Sequence, residues 1–533
     1  MNSQRISVCQ TDELRDGEMR QFSVADKEIL VAKSEGKFWA IAAHCSHYGA
    51  PLVDGVLQGD RVVCPWHNAC FSVQSGVQLE PPGCDDLAQY AVEVDSGALY
   101  VKLPLPESEQ LTPDLGQQDS QQDQRTFVIV GGGAAGSSAA QMLRQVDFKG
   151  RIVLLTDESK LPYDRTKLSK AYLQSDSDPS DEDKSADLLR STDFYKRYDI
   201  EVKTRATVTK LDVQSQQITY GDNQTIRYDS LLIATGGKVK KMPMDGADKG
   251  NVFTLRNAQD ARAILKAAES AQRAVVVGTG FIGMEVAASL RQQGLEVTVV
   301  SPNKVPFQKV LGDSVGKLFQ QVHESHGVRF KLNCKATAFK GESTVEAVEL
   351  DNGETLSADM VVVGIGVEPA TDFIEGLKLN EDDKSISVDK YLRAAPGVYA
   401  AGDISQFPHF LTGDPVRIEH WRLAMQQGRT AACNMAGQEV PFGAVPFFWT
   451  GQFDLKLRYV GHAEDYDDVI VQGSLADKSF LAFYVKAQQV LAVSGIGQDR
   501  AIAAISELMR LGKMPAADAL KQTDINWVEQ LED

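Results

Sequence analysis

Cysteine and histidine residues are concentrated in one short stretch near the amino terminus. The chain has seven cysteines and eight histidines, and three of each lie between positions 44 and 71. Cys45 and His47 form a Cys-x-His pair and, after a gap of sixteen residues, Cys64 and His67 form a Cys-x-x-His pair. Each of two loops therefore offers one thiolate and one imidazole, and both groups are transition-metal ligands.

Three interpretations of this spacing are open. A [2Fe–2S] cluster with unlike irons takes two cysteines on one iron and two histidines on the other. Zinc sites usually bring paired cysteines followed by paired histidines, whereas the two types alternate within each loop here. Coincidence is the third interpretation, and the tight spacing argues against it. The pattern favours the cluster, with these ligands: Cys45, His47, Cys64 and His67.

Two glycine-rich turns indicate dinucleotide binding. The first, Gly131-x-Gly133-x-x-Gly136, follows the apolar run TFVIV and opens a helical pattern. Such glycines allow a tight turn, close approach of a pyrophosphate and close helix–strand packing. About twenty residues later come two carboxylates that could accept a hydrogen bond from a ribose hydroxyl. The predicted contacts of this unit are Gly131, Gly133, Ala135, Gly136, Asp157 and Glu158.

The second turn repeats the first. Gly278-x-Gly280-x-x-Gly283 follows RAVVV and precedes a second helical pattern. Residues 126–158 and 273–301 are thus duplicated βαβ units, which predicts two nucleotide-binding domains with the second inserted in the first. The second unit ends at Ser301 without a carboxylate, with Lys304 nearby. This leaves NADPH open as a ligand beside NADH.

Composition limits the remaining classes of function. The net charge of −18 and the lack of a basic cluster argue against a nucleic-acid partner. The amino terminus has no secretory-signal pattern, and no apolar run approaches the ~20 residues of a transmembrane segment, so a cytoplasmic location is predicted. The polar, Gln- and Asp-rich segment 104–125 is predicted to be a flexible linker.

The metal-ligand pattern resembles the Rieske box. His44, Gly49, Pro51 and the Cys-Pro-Trp-His loop at 64–67 fit that resemblance. Respiratory-chain Rieske proteins carry a further cysteine in each loop, but Ala50 and Trp66 occupy those positions here. The resemblance is therefore to the ferredoxin-like branch, and it covers the first hundred residues.

The rest of the chain resembles ferredoxin reductases and apoptosis-inducing factor. The resemblance is carried by LPYDRTKLSK at 161–170, ATG at 234–236 and AAGD at 400–403. It implies FAD contacts from Arg165, Lys170, Ala234, Thr235, Gly236, Gly402 and Asp403. It also implies that Lys170 and Glu285 form a catalytic pair beside the flavin and the nicotinamide. Trp421 and Trp449 are predicted to lie near the flavin. For Trp449, a place in the hydrophobic core is an equally good interpretation.

These resemblances imply a fold class and an activity. The fold is a multidomain one: an all-β Rieske domain, α/β doubly wound FAD and NAD(P) domains of Rossmann type, and an α+β carboxyl-terminal domain. The predicted boundaries are 1–103 Rieske, 104–125 linker, 126–243 and 370–440 FAD, 244–369 NAD(P), and 441–533 carboxyl-terminal. No cysteine lies between Cys84 and Cys334, so a disulfide beside the flavin is not expected.

Two functional classes follow. The first is an oxidoreductase that passes electrons from NAD(P)H through FAD to the cluster, and then to an unidentified acceptor protein such as an oxygenase. The alternative is an NADH-responsive redox sensor of the apoptosis-inducing-factor type with little turnover. A homodimer is compatible with either class.

Overall fold

A computed structural model describes residues 3–104, 113, 115–174, 187–521 and 525–531. The first hundred residues form two antiparallel sheets. The larger sheet has the strand order Ser3–Gln10, Ala98–Pro104, Gln89–Asp95, Lys37–Ala42, Lys27–Ser34 and Met19–Val24. The smaller sheet has the order Val56–Gln58, Arg61–Val63, Cys70–Ser72 and Gln78–Glu80. The strands Gln89–Asp95 and Ala98–Pro104 form a hairpin, and Ser96 and Gly97 at its tip both have positive φ.

The first nucleotide-binding domain is built on a mainly parallel sheet. Its strand order is Ile200–Lys203, Arg151–Leu155, Thr126–Val130, Ser230–Ile233, Val398–Ala400 and Arg393–Ala395, of which the last strand is antiparallel. Helices Ala134–Gln145 and Trp421–Met435 pack against each other beside this sheet. A small sheet, Val208–Asp212, Gln217–Tyr220, Gln224–Arg227 and Ile374–Glu375, and the helix Thr192–Arg197 complete the domain.

The second nucleotide-binding domain repeats this plan. Its parallel sheet has the order Val252–Thr254, Met360–Val363, Arg273–Val277, Glu296–Ser301 and Arg329–Leu332. Helices Ala258–Ala268, Phe281–Gln292 and Gln308–Ser325 accompany it, together with the antiparallel strands Ala336–Lys340, Ala347–Leu350 and Thr355–Ser357. The short strands Gly237–Val239 and Val367–Pro369 pair where the chain passes between the two domains. Both predicted βαβ units are therefore present.

The carboxyl-terminal part is an antiparallel sheet with helices. The strand order is Phe447–Gln452, Leu455–Gly461, Gln489–Ile496, Ser479–Lys486 and Asp468–Ser474. Helix Asp499–Leu511 packs on strands Leu455–Gly461 and Gln489–Ile496, and the short helix Ala517–Leu520 follows it. This arrangement is the predicted α+β domain.

The described half of the predicted linker is packed on the first nucleotide-binding domain. Leu115 is buried in the core of that domain, and the Gly116 N–H donates to the Arg144 carbonyl at 3.0 Å. The prediction of a flexible linker therefore does not hold for residues 115–125, because backbone hydrogen bonds and a buried leucine fix them. Residues 105–112 and 114 lie outside the described residues. Among the described helices, none has the length and apolar character needed to cross a membrane.

Candidate functional site

The two metal-ligand loops have the same backbone geometry. The Cys45 N–H donates to the Ala50 carbonyl at 2.9 Å, and the Cys64 N–H donates to the Ala69 carbonyl at 2.8 Å. The fifth position of each loop is left-handed: Gly49 has φ 73° and Asn68 has φ 60°. The Cys45 and Cys64 thiols are neighbours, and the interaction with Cys64, together with burial, raises the pKa of Cys45.

The imidazoles of His47 and His67 converge beside the thiols. Their Nδ1 atoms lie 3.1 Å apart. Burial lowers the pKa of His47 to about 4 and that of His67 well below its usual range, so both rings are neutral and can act as ligands. The two thiols are neighbours, as are the two imidazoles, and together they supply two sulfur and two nitrogen donors. This is the donor set that a [2Fe–2S] cluster with unlike irons requires.

The zinc interpretation is less well supported by this geometry. Within the described ranges, no three His, Cys, Asp or Glu side chains are grouped so that they could hold a single metal ion. A structural zinc site needs four ligands around one ion, whereas each iron of a two-iron cluster needs only two ligands from the protein. The four side chains fit the cluster better than one zinc ion.

A cavity of about 370 Å³ opens at the first glycine turn. It brings together most of the residues predicted to contact FAD, namely Gly131, Gly133, Ala135, Asp157, Arg165, Ala234, Thr235, Gly236, Gly402, Asp403 and Trp421. Gly133 faces open space, because a Cβ atom added there would meet no heavy atom within 4 Å. A dinucleotide fits this cradle, because its pyrophosphate could approach the backbone at the start of helix Ala134–Gln145.

Four predicted FAD contacts lie away from this lining. Gly136 packs its Cα against the Gly131 carbonyl, so it serves helix–strand packing. The Glu158 carboxylate is paired with Arg165, which leaves Asp157 as the carboxylate that faces the cavity. The other two are Lys170, which pairs with Glu285, and Trp449, which lies against His67.

The second glycine turn has the same construction as the first. Gly278 has φ 115°, compared with 116° at Gly131, and each packs against a backbone carbonyl of the neighbouring strand connection. At Gly280, as at Gly133, an added Cβ atom would meet nothing within 4 Å. Gly283 packs against the Gly278 carbonyl. This turn could therefore receive the pyrophosphate of a second dinucleotide.

Lys170 and Glu285 form a buried ion pair between the two nucleotide domains. The Lys170 Nζ lies 2.8 Å from the Glu285 Oε2, and Glu285 is 3% exposed. Ser169 donates to the same carboxylate, and Thr450 Oγ1 donates to the other oxygen, Oε1, at 2.6 Å. Thr450 was missed by sequence reasoning, although it follows the predicted Trp449 directly.

Trp449 and Tyr48 flank the metal-ligand imidazoles. The Trp449 ring lies 4.3 Å from the His67 ring and 6.0 Å from the His47 ring, between centroids. Tyr48 stacks on His47 at 3.7 Å with an interplanar angle of 20°. Tyr48 was also missed by sequence reasoning, although its position directly after His47 could have indicated a place beside the metal ligands. The carboxyl-terminal domain thus contacts the metal-ligand loops directly.

A cluster of charged residues fixes this contact. Glu80, at the end of the small sheet, pairs with Arg422 and with Arg61. Arg61 also contacts Glu507 of the carboxyl-terminal helix at 3.1 Å. Arg422 is 2% exposed, so the ion pairs lie inside the junction rather than on its rim. The Rieske-like domain therefore has a defined docking geometry on the rest of the chain.

Family models match three consecutive parts of the chain. Residues 125–428 match the pyridine nucleotide-disulphide oxidoreductase model, residues 4–91 the Rieske [2Fe-2S] domain, and residues 447–529 the reductase C-terminal domain. The first match covers more than half of the chain. The chain belongs to the pyridine nucleotide-disulphide oxidoreductase family. It carries a Rieske domain before that region and a reductase C-terminal domain after it.

Relatives match different shares of the chain. Human apoptosis-inducing factor 3 is 37% identical over 521 residues, which cover 95% of this chain and 84% of that protein. Rhodocoxin reductase of Rhodococcus erythropolis is 33% identical over 379 residues, covering 70% of this chain and 87% of that protein. The solved covalent putidaredoxin reductase–putidaredoxin complex matches with a TM-score of 0.71 at 29% identity, covering 76% of this chain and 98% of the other.

The family confirms the predicted cofactors and class of activity. The chain is an FAD- and NAD(H)-dependent oxidoreductase that carries a [2Fe-2S] Rieske cluster. None of the seven cysteines, all of which lie among the described residues, forms a disulfide in the structure. The roles of individual site residues, the domain boundaries and the use of NADPH stay predictions.

Proposed function

We propose that this protein transfers electrons from NADH through FAD to its own Rieske cluster, and from there to a separate one-electron acceptor protein. One observation supports this proposal above the others. The metal-ligand imidazole of His67 lies against Trp449, and the next residue, Thr450, is hydrogen-bonded to Glu285. A single strand therefore contacts both the metal-ligand loops and the predicted nicotinamide site.

The chain's own residues would bind and orient the reactants. The first glycine turn with Asp157 would hold FAD, and the second with Gly280 would hold NADH. When bound, FAD supplies hydride acceptance and the cluster supplies one-electron transfer. The balance is NADH plus two oxidised acceptors giving NAD⁺, one proton and two reduced acceptors. The Lys170–Glu285 pair, fixed by Thr450, would position the nicotinamide against the flavin.

The Rieske domain would take the place of a separate iron–sulfur protein. The alignment with rhodocoxin reductase covers 70% of this chain, and the solved putidaredoxin reductase is joined to a second protein, putidaredoxin. In the present chain the buried pairs of Glu80 with Arg61 and Arg422 hold the metal-ligand loops against Trp449. Covalent linkage and a fixed interface remove the diffusional encounter from this step.

Rapid mixing tests the proposal. The anaerobic holoprotein is mixed with NADH, and in parallel with NADPH, while flavin absorbance and the electron-paramagnetic signal of the reduced cluster are followed. We expect the cluster to be reduced with a first-order rate constant that does not change with protein concentration, because the transfer is intramolecular. A Cys45→Ser variant, which keeps the flavin, gives the flavin signal alone.

A flavin that is reduced while the cluster stays oxidised would contradict the proposal. That result would favour the alternative, an NADH-responsive redox sensor. We retain this alternative because the alignment with apoptosis-inducing factor 3 covers 95% of this chain. The oligomeric state with and without NADH would then be the next measurement. A homodimer and a cytoplasmic location are further proposals from the sequence.

A further inference from the structure

The two metal-ligand histidines have different aromatic neighbours. The His67 ring is 4.3 Å from Trp449, which belongs to the reductase C-terminal domain and is half-buried. The His47 ring is stacked on Tyr48 at 3.7 Å and 20°. The edge of Tyr48 also approaches His67, at 5.4 Å, but the stacked contact with His47 is the closer one. Trp449 of the carboxyl-terminal domain thus covers one imidazole, and Tyr48 of the metal-ligand loop covers the other.

Tyr48 reaches the protein surface. Its side chain is 37% exposed, whereas the two metal-ligand cysteines are at most 3% exposed. Trp449 lies against the His67 ring and covers that side of it. The Tyr48 ring therefore offers a short route from the metal-ligand loops to solvent, and electron tunnelling falls steeply with distance.

We propose that Tyr48 is the electron exit of this protein and the centre of the docking site for its acceptor. The inference rests on the proposed function and adds the place where electrons leave. The four ligand side chains would hold the cluster, which would supply one electron to the oxidised acceptor, so that the cluster is oxidised as the acceptor is reduced. Trp449 contacts the entry side and Tyr48 the exit side.

The surroundings of Tyr48 indicate the chemistry of the partner. Lys167 Nζ lies 4.7 Å above the Tyr48 ring and pairs with Asp187, whose carboxylate is 67% exposed. Leu188, which follows Asp187 in the chain, is 46% exposed. The Tyr48 hydroxyl also contacts the Asp164 carboxylate, so that two carboxylates and one lysine lie beside this ring. An aromatic ring with this excess of carboxylates, on a chain of net charge −18, fits a one-electron protein with a basic face.

Tyr48 has a second contact that the experiment must separate from this role. Its hydroxyl donates to Asp164 of the FAD domain, so the side chain could simply hold the two domains together. Tyr48→Phe removes that hydrogen bond and keeps the ring. Tyr48→Leu removes both. The pair of variants therefore distinguishes a docking clamp from an electron exit.

The test uses cytochrome c as a basic one-electron acceptor. The cluster of the holoprotein is reduced with dithionite, excess reductant is removed, and cytochrome c reduction is followed by rapid mixing. We expect Tyr48→Leu to lower the second-order rate constant about tenfold, since loss of a central aromatic weakens docking, and Tyr48→Phe to keep most of the rate. Equal losses in both variants, or none in either, would overturn the proposal.

Two further readouts separate this proposal from the proposed function. Binding of redox-inert zinc-substituted cytochrome c, measured by calorimetry, should weaken in Tyr48→Leu and at high salt, and unchanged binding in the variant would contradict the docking site. Trp449→Leu should slow cluster reduction by NADH by a larger factor than it slows transfer from the dithionite-reduced cluster to cytochrome c, and equal slowing of both steps would contradict a separate exit. A cluster that NADH never reduces refutes the proposed function alone, because dithionite still tests the exit.

Discussion

Trp449 and Thr450 are consecutive residues on one strand, and their side chains reach two different sites. The Trp449 ring lies 4.3 Å from the His67 ring, while Thr450 Oγ1 lies 2.6 Å from the Glu285 carboxylate. Successive side chains of a strand point to opposite faces, so one strand can contact both the metal-ligand loops and the buried Lys170–Glu285 pair. The reductase C-terminal domain thereby joins the two predicted redox sites.

Removing the Thr450 hydroxyl should disturb the Glu285 carboxylate. Thr450→Val keeps the shape of the side chain but leaves a buried acceptor without one of its donors, which costs about 1–3 kcal/mol. We expect a lower free energy of unfolding in urea and a higher KM for NADH. Thr450→Ser, which keeps the donor, serves as the control, and a loss of equal size in both variants would contradict this explanation.

Glu80 should make the docking of the Rieske domain dependent on pH. Burial alone would raise the pKa of Glu80, but the guanidinium groups of Arg422 and Arg61 outweigh it and lower this pKa to about 2, from an ordinary 4.5. A carboxyl whose pKa is lowered on folding contributes stability above the unfolded value, and that stability is lost as the pH falls through 4.5 toward 2.

The variant that tests this pH dependence is Glu80→Gln. It leaves Arg422 without its carboxylate partner, while Arg61 keeps Glu507, and we expect it to cost about 3 kcal/mol at pH 7, near the lower end for a broken buried pair. Urea denaturation at several pH values measures this, and the difference from the wild type should shrink below pH 4.5. Glu93→Gln, at an exposed ion pair with Lys102, should change little. A constant difference across this pH range would argue against the assignment.

Two alanine substitutions should show which glycine turn binds FAD and which binds NADH. An added Cβ atom at Gly133 or at Gly280 meets no heavy atom within 4 Å, so each variant should fold normally. If a pyrophosphate approaches each turn, Gly133→Ala should lower FAD occupancy and Gly280→Ala should raise the KM for NADH with FAD retained. The flavin-to-protein ratio and steady-state kinetics measure these effects. Loss of FAD in Gly280→Ala would show that the two sites had been assigned wrongly.

Metal analysis should decide between the cluster and zinc. We expect about two iron atoms and two acid-labile sulfides per chain, as a [2Fe–2S] cluster requires. Cys64→Ser should remove both while the flavin absorbance remains, since its cavity is built by other residues. Stoichiometric zinc without sulfide in the wild-type protein would exclude the cluster.

The sequence by itself determined the class of each site. The alternation of thiol and imidazole at 45, 47, 64 and 67 predicts the ligand set, because ligand type and local spacing are properties of single loops. The two glycine turns predict duplicated nucleotide-binding units for the same reason, since each turn, helix and strand is contiguous in the chain. Both βαβ units and the Ser96-Gly97 hairpin are found in the structure.

Only the tertiary structure decided which sites face each other. Trp449 and His67 are far apart in the chain, and so are Thr450 and Glu285, so no local pattern could show their contacts. The packed segment 115–125 was missed for a related reason: its polar composition suggested a flexible linker, while its hydrogen bonds go to a helix end that follows it in the sequence. Long-range contacts depend on how whole domains pack, and that packing alone places one strand between the two predicted redox sites and leaves Tyr48 at the surface.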